Sequence, residues 1–146
     1  MSQTHWIELK LVNFVEALEI VSILINHGWS LTDKGMTTFL PVEDQNNFQW
    51  ETREMSLSEL KELFEKKIKL GETIGLEINW KDSQIGGELL IKENNQILFS
   101  ISKNRRTISY SPEFSFVDLN WYFLVFVSPF IQERIKIEAV KYEGIF

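Results

Sequence analysis

Residues 73–103, TIGLEINWKDSQIGGELLIKENNQILFSISK, decide how this chain folds. Apolar and polar positions alternate through 73–80, 87–93 and 96–103, the period of strands with one face buried. Asn94-Asn95 joins the last two as a tight hairpin turn, and residues 81–86 join the first two as a longer one. A meander results. The Gly86-Gly87 pair belongs to the longer turn, because it lacks the spacing of a phosphate-binding loop and leads into a strand rather than a helix.

On the C-terminal side, residues 105–110 extend the meander by one more strand until Pro112 interrupts. Residues 116–134 admit two readings, a buried strand at 121–127 or a helix capped by Asp118 and kinked near Pro129; the helix is adopted here. Residues 135–142 alternate again as a closing strand. On the N-terminal side, Ser56 and Glu59 form a capping box before a stripe of Leu57, Leu60, Phe64 and Ile68, and Gly71 ends that helix. Residues 36–42 and 48–53 read as two strands around the polar loop Glu43-Asp44-Gln45-Asn46-Asn47. A first strand at 5–12 precedes a helix opened by Asn13 with Glu16, carried by Phe14, Leu18, Val21 and Ile25, and closed by Gly28.

The order β-α-β-β-α-β-β-β-α-β predicts an α+β fold: a mainly antiparallel β-sheet with about three helices packed against it. No linker, repeat or low-complexity tract divides residues 1–146, so the chain reads as a single domain. Its length allows burial of roughly 70% of the unfolded surface.

The charge is distributed unevenly. Of a net −6, all lies in the first sixty residues, where nine carboxylates face only Lys10, Lys34 and Arg53, whereas residues 61–146 balance twelve acids with twelve bases. A one-sided acidic field steers basic partners and repels phosphate backbones. The one basic cluster, Lys103-Asn104-Arg105-Arg106, is a small footprint for nucleic acid, which asks for a basic excess over a whole face. It suits a solvated turn or an acidic patch on another chain. Nucleic acid is therefore not an expected partner. Nor is a membrane, since the apolar run 114–131 holds Asp118 and Asn120 and is broken by Pro129.

Chemistry leaves little trace. With no cysteine and only His5 and His27, neither a thiol nucleophile nor an ordinary zinc ligand set can be assembled, and no metal or other cofactor is expected. No Ser or Thr sits in a nucleophile-elbow pattern. Asp118 has two readings. It is a helix N-cap, or, beside Trp121 and Tyr122, the desolvated acid of a pocket serving a small ligand or an enzyme. No catalytic residue is assigned.

The acidic segment offers more. Glu43, Asp44, Glu51 and Glu54 interleave with Phe48 and Trp50, an aromatic anchor inside a charged rim of the kind protein interfaces favour. Strand alternation equally allows both rings to turn into the core, while the carboxylates are expected to be exposed. Arg105, Arg106 and Asp118 are secondary positions.

In size, acidity, absence of cysteine and α+β order, with Ile85-Gly86-Gly87 and Asp118-Leu119-Asn120-Trp121-Tyr122, the chain resembles the immunity proteins of bacterial polymorphic-toxin and contact-dependent inhibition systems. The absence of cysteine fits a cytosolic home, and the resemblance implies a non-catalytic protein that neutralises a toxin by binding it. The family is diverse in fold, so it transfers no residue roles. The remaining expectations are the pocket near Asp118 and a self-associating structural subunit.

Overall fold

The alternation of residues 73–103 sets the centre of a nine-stranded sheet. The computed structural model describes residues 5–144. Its elements are β1 (His5–Leu11), α1 (Ala17–Asn26), β2 (Trp29–Ser30), β3 (Thr32–Asp33), β4 (Met36–Phe39), β5 (Glu51–Arg53), α2 (Leu57–Lys69), β6 (Ile74–Trp80), β7 (Gly86–Ile91) and β8 (Gln96–Lys103). There follow β9 (Thr107–Ser111), β10 (Phe114–Val117), α3 (Leu119–Tyr122), a π-helical stretch Phe123–Val127, α4 (Ser128–Gln132) and β11 (Ile137–Gly144). The sheet runs β11-β1-β8-β7-β6-β4-β3, with β2 added on β6 and β5 on β4. Its ladders are antiparallel. The α+β class and the antiparallel sheet are those the sequence predicts.

Period-two alternation sends Ile7, Leu9, Ile97, Phe99, Leu89, Ile91, Ile74, Leu76 and Ile78 to one face, where all are buried. The helices cover that face. Ala17, Ile20, Val21 and Leu24 of α1, Leu60, Leu63 and Phe64 of α2, and Tyr122, Phe126 and Phe130 of the C-terminal helical run complete one core cluster. Phe99 stacks on Phe126 at 4.7 Å, and Trp29 meets both edge-on.

Several elements differ from the expectation for identifiable reasons. The first helix begins at Ala17, not Asn13, because the preceding residues are tied to neighbouring segments: Val12 N–H donates to Lys136 O and Val15 N–H to Asn95 Oδ1. Phe14 is consequently exposed. The helix 57–69 carries both capping-box bonds, but it buries Leu60, Leu63, Phe64 and Lys67 and leaves Leu57 and Ile68 outside. Gly86 and Gly87 lie in β7 rather than in a turn. A Cβ on Gly87 would stand 1.8 Å from Ser100 O, so the glycine serves a close strand approach at a bulge.

β9 does not extend the meander, since it pairs with β10 as a separate two-stranded hairpin. Residues 119–132 are helical, and their irregularity precedes Pro129 as the π-helical stretch. Pro129 has no N–H to offer Val125 O four residues back, and the Trp29 indole donates to that carbonyl instead at 2.7 Å.

Candidate functional site

The acidic segment is built around a buried lysine. Lys67 lies on the inner stripe of α2 and is fully buried, and its ammonium donates to Pro41 O at 2.8 Å and Leu40 O at 3.3 Å. It also meets Asp44 Oδ1 at 3.5 Å and Glu72 Oε1 at 3.7 Å. A buried charge requires such compensation. Glu72 in turn accepts the Glu43 and Gln45 N–H groups, and Asp44 Oδ1 accepts that of Asn46. The expectation that all four carboxylates are exposed therefore fails at Asp44, which is 5% exposed because Lys67 draws it inward. Its Oδ2 is buried and accepts no hydrogen bond among the described residues.

This cluster holds a strained loop. Glu43, Gln45, Asn46 and Phe48 all have φ between 53° and 66° without being glycine. Left-handed backbone at a bulky residue is costly, of order 1–3 kcal/mol, and persists where the surroundings enforce it. Thr73 N–H, donating to Asn46 Oδ1 at 3.0 Å, adds a further tie. Glu43, Glu51 and Glu54 point to solvent from this fixed frame. Phe48 is exposed and Trp50 half-buried, and neither joins the core, so the inward reading of the two rings does not hold. Arg53 pairs with Glu59 at 2.9 Å and lies over the Phe39 ring.

Trp50 connects this loop to the second face of the sheet. A Cβ on Gly75 would come within 2.5 Å of Leu40 and 2.9 Å of Trp50, so the indole lies directly over β6. The strand registers lay out two transverse rows beside it. One runs Glu143, Trp6, Ser100, Glu88, Glu77; the other runs Lys141, Glu8, Leu98, Leu90, Gly75. Trp6, Leu90 and Leu98 are half-buried and stand outside the core cluster that the helices complete. Gln96 donates to Glu8, and Lys103 donates to Glu77 and, at 3.2 Å, to Asn79 Oδ1. Glu88 has neither hydrogen bond nor cation among the described residues. Burial, and next the Glu77 carboxylate directly across the strand pair, push its carboxyl pKa up.

The secondary positions are engaged in joining the hairpin to the helix. Asp118 caps α3 by accepting Trp121 N–H and pairs with Arg106 at 3.3 Å, which is its N-cap reading. Arg106 also stacks on Trp121, and its N–H donates to the Tyr122 hydroxyl at 3.0 Å. Burial pushes the Tyr122 pKa up. Arg105 Nε donates to Ile101 O. His27 Nε2 meets Glu133 Oε1 at 3.1 Å. His5 is buried beside Tyr142 at 2.5 Å, and burial, helped by the Arg105 charge, lowers its pKa.

Beyond these, a cleft of about 300 Å3 at one end of the sheet is lined by Ser30, Thr32, Asn79, Lys81, Asp82 and Lys103 among others, all polar. An apolar cleft of about 170 Å3 lies between α1, α2 and the opposite end of the sheet, walled by Phe14, Ile20, Ile68 and Ile74. Neither takes a wall from Asp118, Trp121 or Tyr122. No group of three metal-ligating side chains forms among the described residues, and no helix in them is long and apolar enough to cross a membrane. The β9–β10 hairpin exposes Ile108, Tyr110, Phe114 and Phe116. Comparison with protein-family models, curated proteins and solved structures finds no match for the chain.

Sequence reasoning missed Lys67 and the open sheet face. The signal for Lys67 was its place three residues after Phe64 on the inner stripe. The signal for the face was the strand alternation itself, which puts Glu8, Glu77 and Glu88 on one side.

Proposed function

We propose that this chain is a non-catalytic protein-binding module of the immunity-protein type, which neutralises a basic toxin domain by direct contact through the acidic segment 43–54. The observation that supports it most is the internal anchoring of that segment. Lys67, Asp44 and Glu72 hold the loop from within while Glu43, Glu51, Glu54 and Phe48 face outward. A surface fixed before binding loses less conformational entropy on association, and its outward carboxylates accelerate encounter with a basic partner.

The test is co-purification from native lysate at moderate salt, with the Glu43→Lys/Glu51→Lys/Glu54→Lys variant alongside. Asp44 is left unchanged because it belongs to the buried cluster. The expected result is a stoichiometric basic partner retained by the wild type, with association to the variant slower by roughly tenfold or more and less salt-dependent. Equal kinetics for both proteins would remove the acidic segment from the reading.

The exposed β9–β10 hairpin supports a second reading, self-association through its aromatic side chains. Sedimentation equilibrium tests it, and a strict monomer at high concentration sinks it.

A further inference from the structure

We propose that the open face of the sheet is a docking surface for a cationic, arginine-bearing segment of a protein partner, with Glu77 and Glu88 receiving the guanidinium beside Trp6, Leu90 and Leu98. This rests on the binding reading above and names the chemistry that the partner brings.

Three observations carry it. First, Glu77 and Glu88 stand directly opposite each other on β6 and β7, an arrangement that destabilises a strand pair unless a cation intervenes. Of the two carboxylates Lys103 from β8 reaches only Glu77, and Ser100, the β8 residue opposite Glu88, is uncharged. Second, of the four carboxylates in the two rows Glu143 pairs with Lys141 and Glu77 with Lys103, while Glu8, held by the neutral Gln96, and Glu88 have no cation among the described residues, so the face keeps an anionic excess complementary to a cation. Third, Trp6, Leu90 and Leu98 form a half-buried apolar floor beside these carboxylates, outside the core cluster. An arginine suits this combination because its planar, weakly hydrated guanidinium bridges carboxylates bidentately and stacks on an indole. Trp50 places the face next to the acidic loop, so one partner can span both.

The half-buried Glu88 adds a signature. A cation docked there favours its ionised form, so binding strengthens as pH rises through the elevated Glu88 pKa and lowers that pKa in the complex. The charged groups facing it are Glu77 and, through Glu77, Lys103.

The experiment is an NMR titration of the labelled protein with the peptide acetyl-Arg-Trp-Arg-amide at low salt, with acetyl-Glu-Trp-Glu-amide as control. Support consists of shifts at the Trp6 indole, Leu98, Ser100 and the Glu77 and Glu88 carboxyls with the cationic peptide only. Glu88→Gln weakens that binding roughly fivefold at pH 7, the worth of one charge near 4 Å in water. Shifts elsewhere, equal binding by Glu88→Gln, or no binding overturns the inference. The loop variant, titrated in parallel, separates the two ideas. If its peptide binding falls while Glu88→Gln binds normally, docking belongs to the loop, and the proposed function survives without the face. If lysate capture fails while the peptide still maps to the face, the toxin reading falls and the face remains.

Discussion

Replacing Lys67 with methionine removes the one cation that Asp44 and Glu72 pair with among the described residues. Lys67 is fully buried, Asp44 is 5% and Glu72 9% exposed, and the ammonium also satisfies Leu40 O and Pro41 O. Methionine fills nearly the same volume, so the loss is electrostatic rather than a cavity. Breaking one partner out of a buried pair costs about 3–5 kcal/mol. For a chain near 150 residues that lowers Tm by on the order of 10 °C. Urea melts at pH 7 measure it, and the triple variant Lys67→Met/Asp44→Asn/Glu72→Gln, which removes all three charges, is expected to regain most of the loss. The segment 43–48 should loosen in the single variant, giving faster amide exchange at Glu43, Gln45 and Asn46, whose N–H groups bond Glu72 and Asp44. A cost below about 1 kcal/mol, or exchange unchanged at those three amides, would refute the claim that Lys67 organises the loop.

Glu88→Gln is expected to raise stability at pH 7, with the gain shrinking towards pH 4. A carboxyl whose folded pKa lies above its unfolded value contributes stability when protonated and loses it as pH rises through the folded value, as paired melts at the two pH values will show. His5 acts with the opposite sign. Its lowered pKa keeps the folded ring neutral, so wild-type stability declines as pH falls below 6.5, and His5→Asn should flatten that decline in a pH series of urea melts. Ser56→Ala removes the hydroxyl that accepts Glu59 N–H at 3.1 Å and should cost about 1 kcal/mol by thermal melt.

What the sequence disclosed was local, and what it concealed depended on distant neighbours. The meander and the Ser56/Glu59 helix follow from alternation and capping chemistry within a few residues. Asn13 has the side chain for a cap, yet bonds from Val12 to Lys136 and from Val15 to Asn95 hold that stretch outside the helix. Pro129 predicts a kink, but the π-helical stretch before it absorbs the irregularity and Trp29, a hundred residues earlier in the chain, supplies the missing donor. In the candidate site, the polar character of residues 43–54 was legible. The burial of Asp44 was not, because Lys67 sits in a run of lysines and only the phase of α2 distinguishes it from Lys66 and Lys69.

The fold therefore redistributes the acidity read along the chain. Asp44 belongs to the first sixty residues but is directed inward at Lys67, and Glu59 is engaged by Arg53, so the outward field of that segment is smaller than its composition implies. Glu77 and Glu88 belong to the balanced part of the sequence, yet the β6–β7 register sets them side by side on the face that also carries Glu8. Electrostatic steering responds to charges in space, within a screening length of about 8 Å at physiological salt. The relevant acidic surface is thus the combination of Glu43, Glu51 and Glu54 with the open sheet face, bridged by Trp50. A partner that contacts both should respond to charge changes on either side in a coupled way. Combining the loop reversal with Glu88→Gln should then cost less than the sum of the two single effects, because a segment already released from the loop gains little from the sheet. Strict additivity would mean that the loop and the sheet face contribute to binding independently of each other.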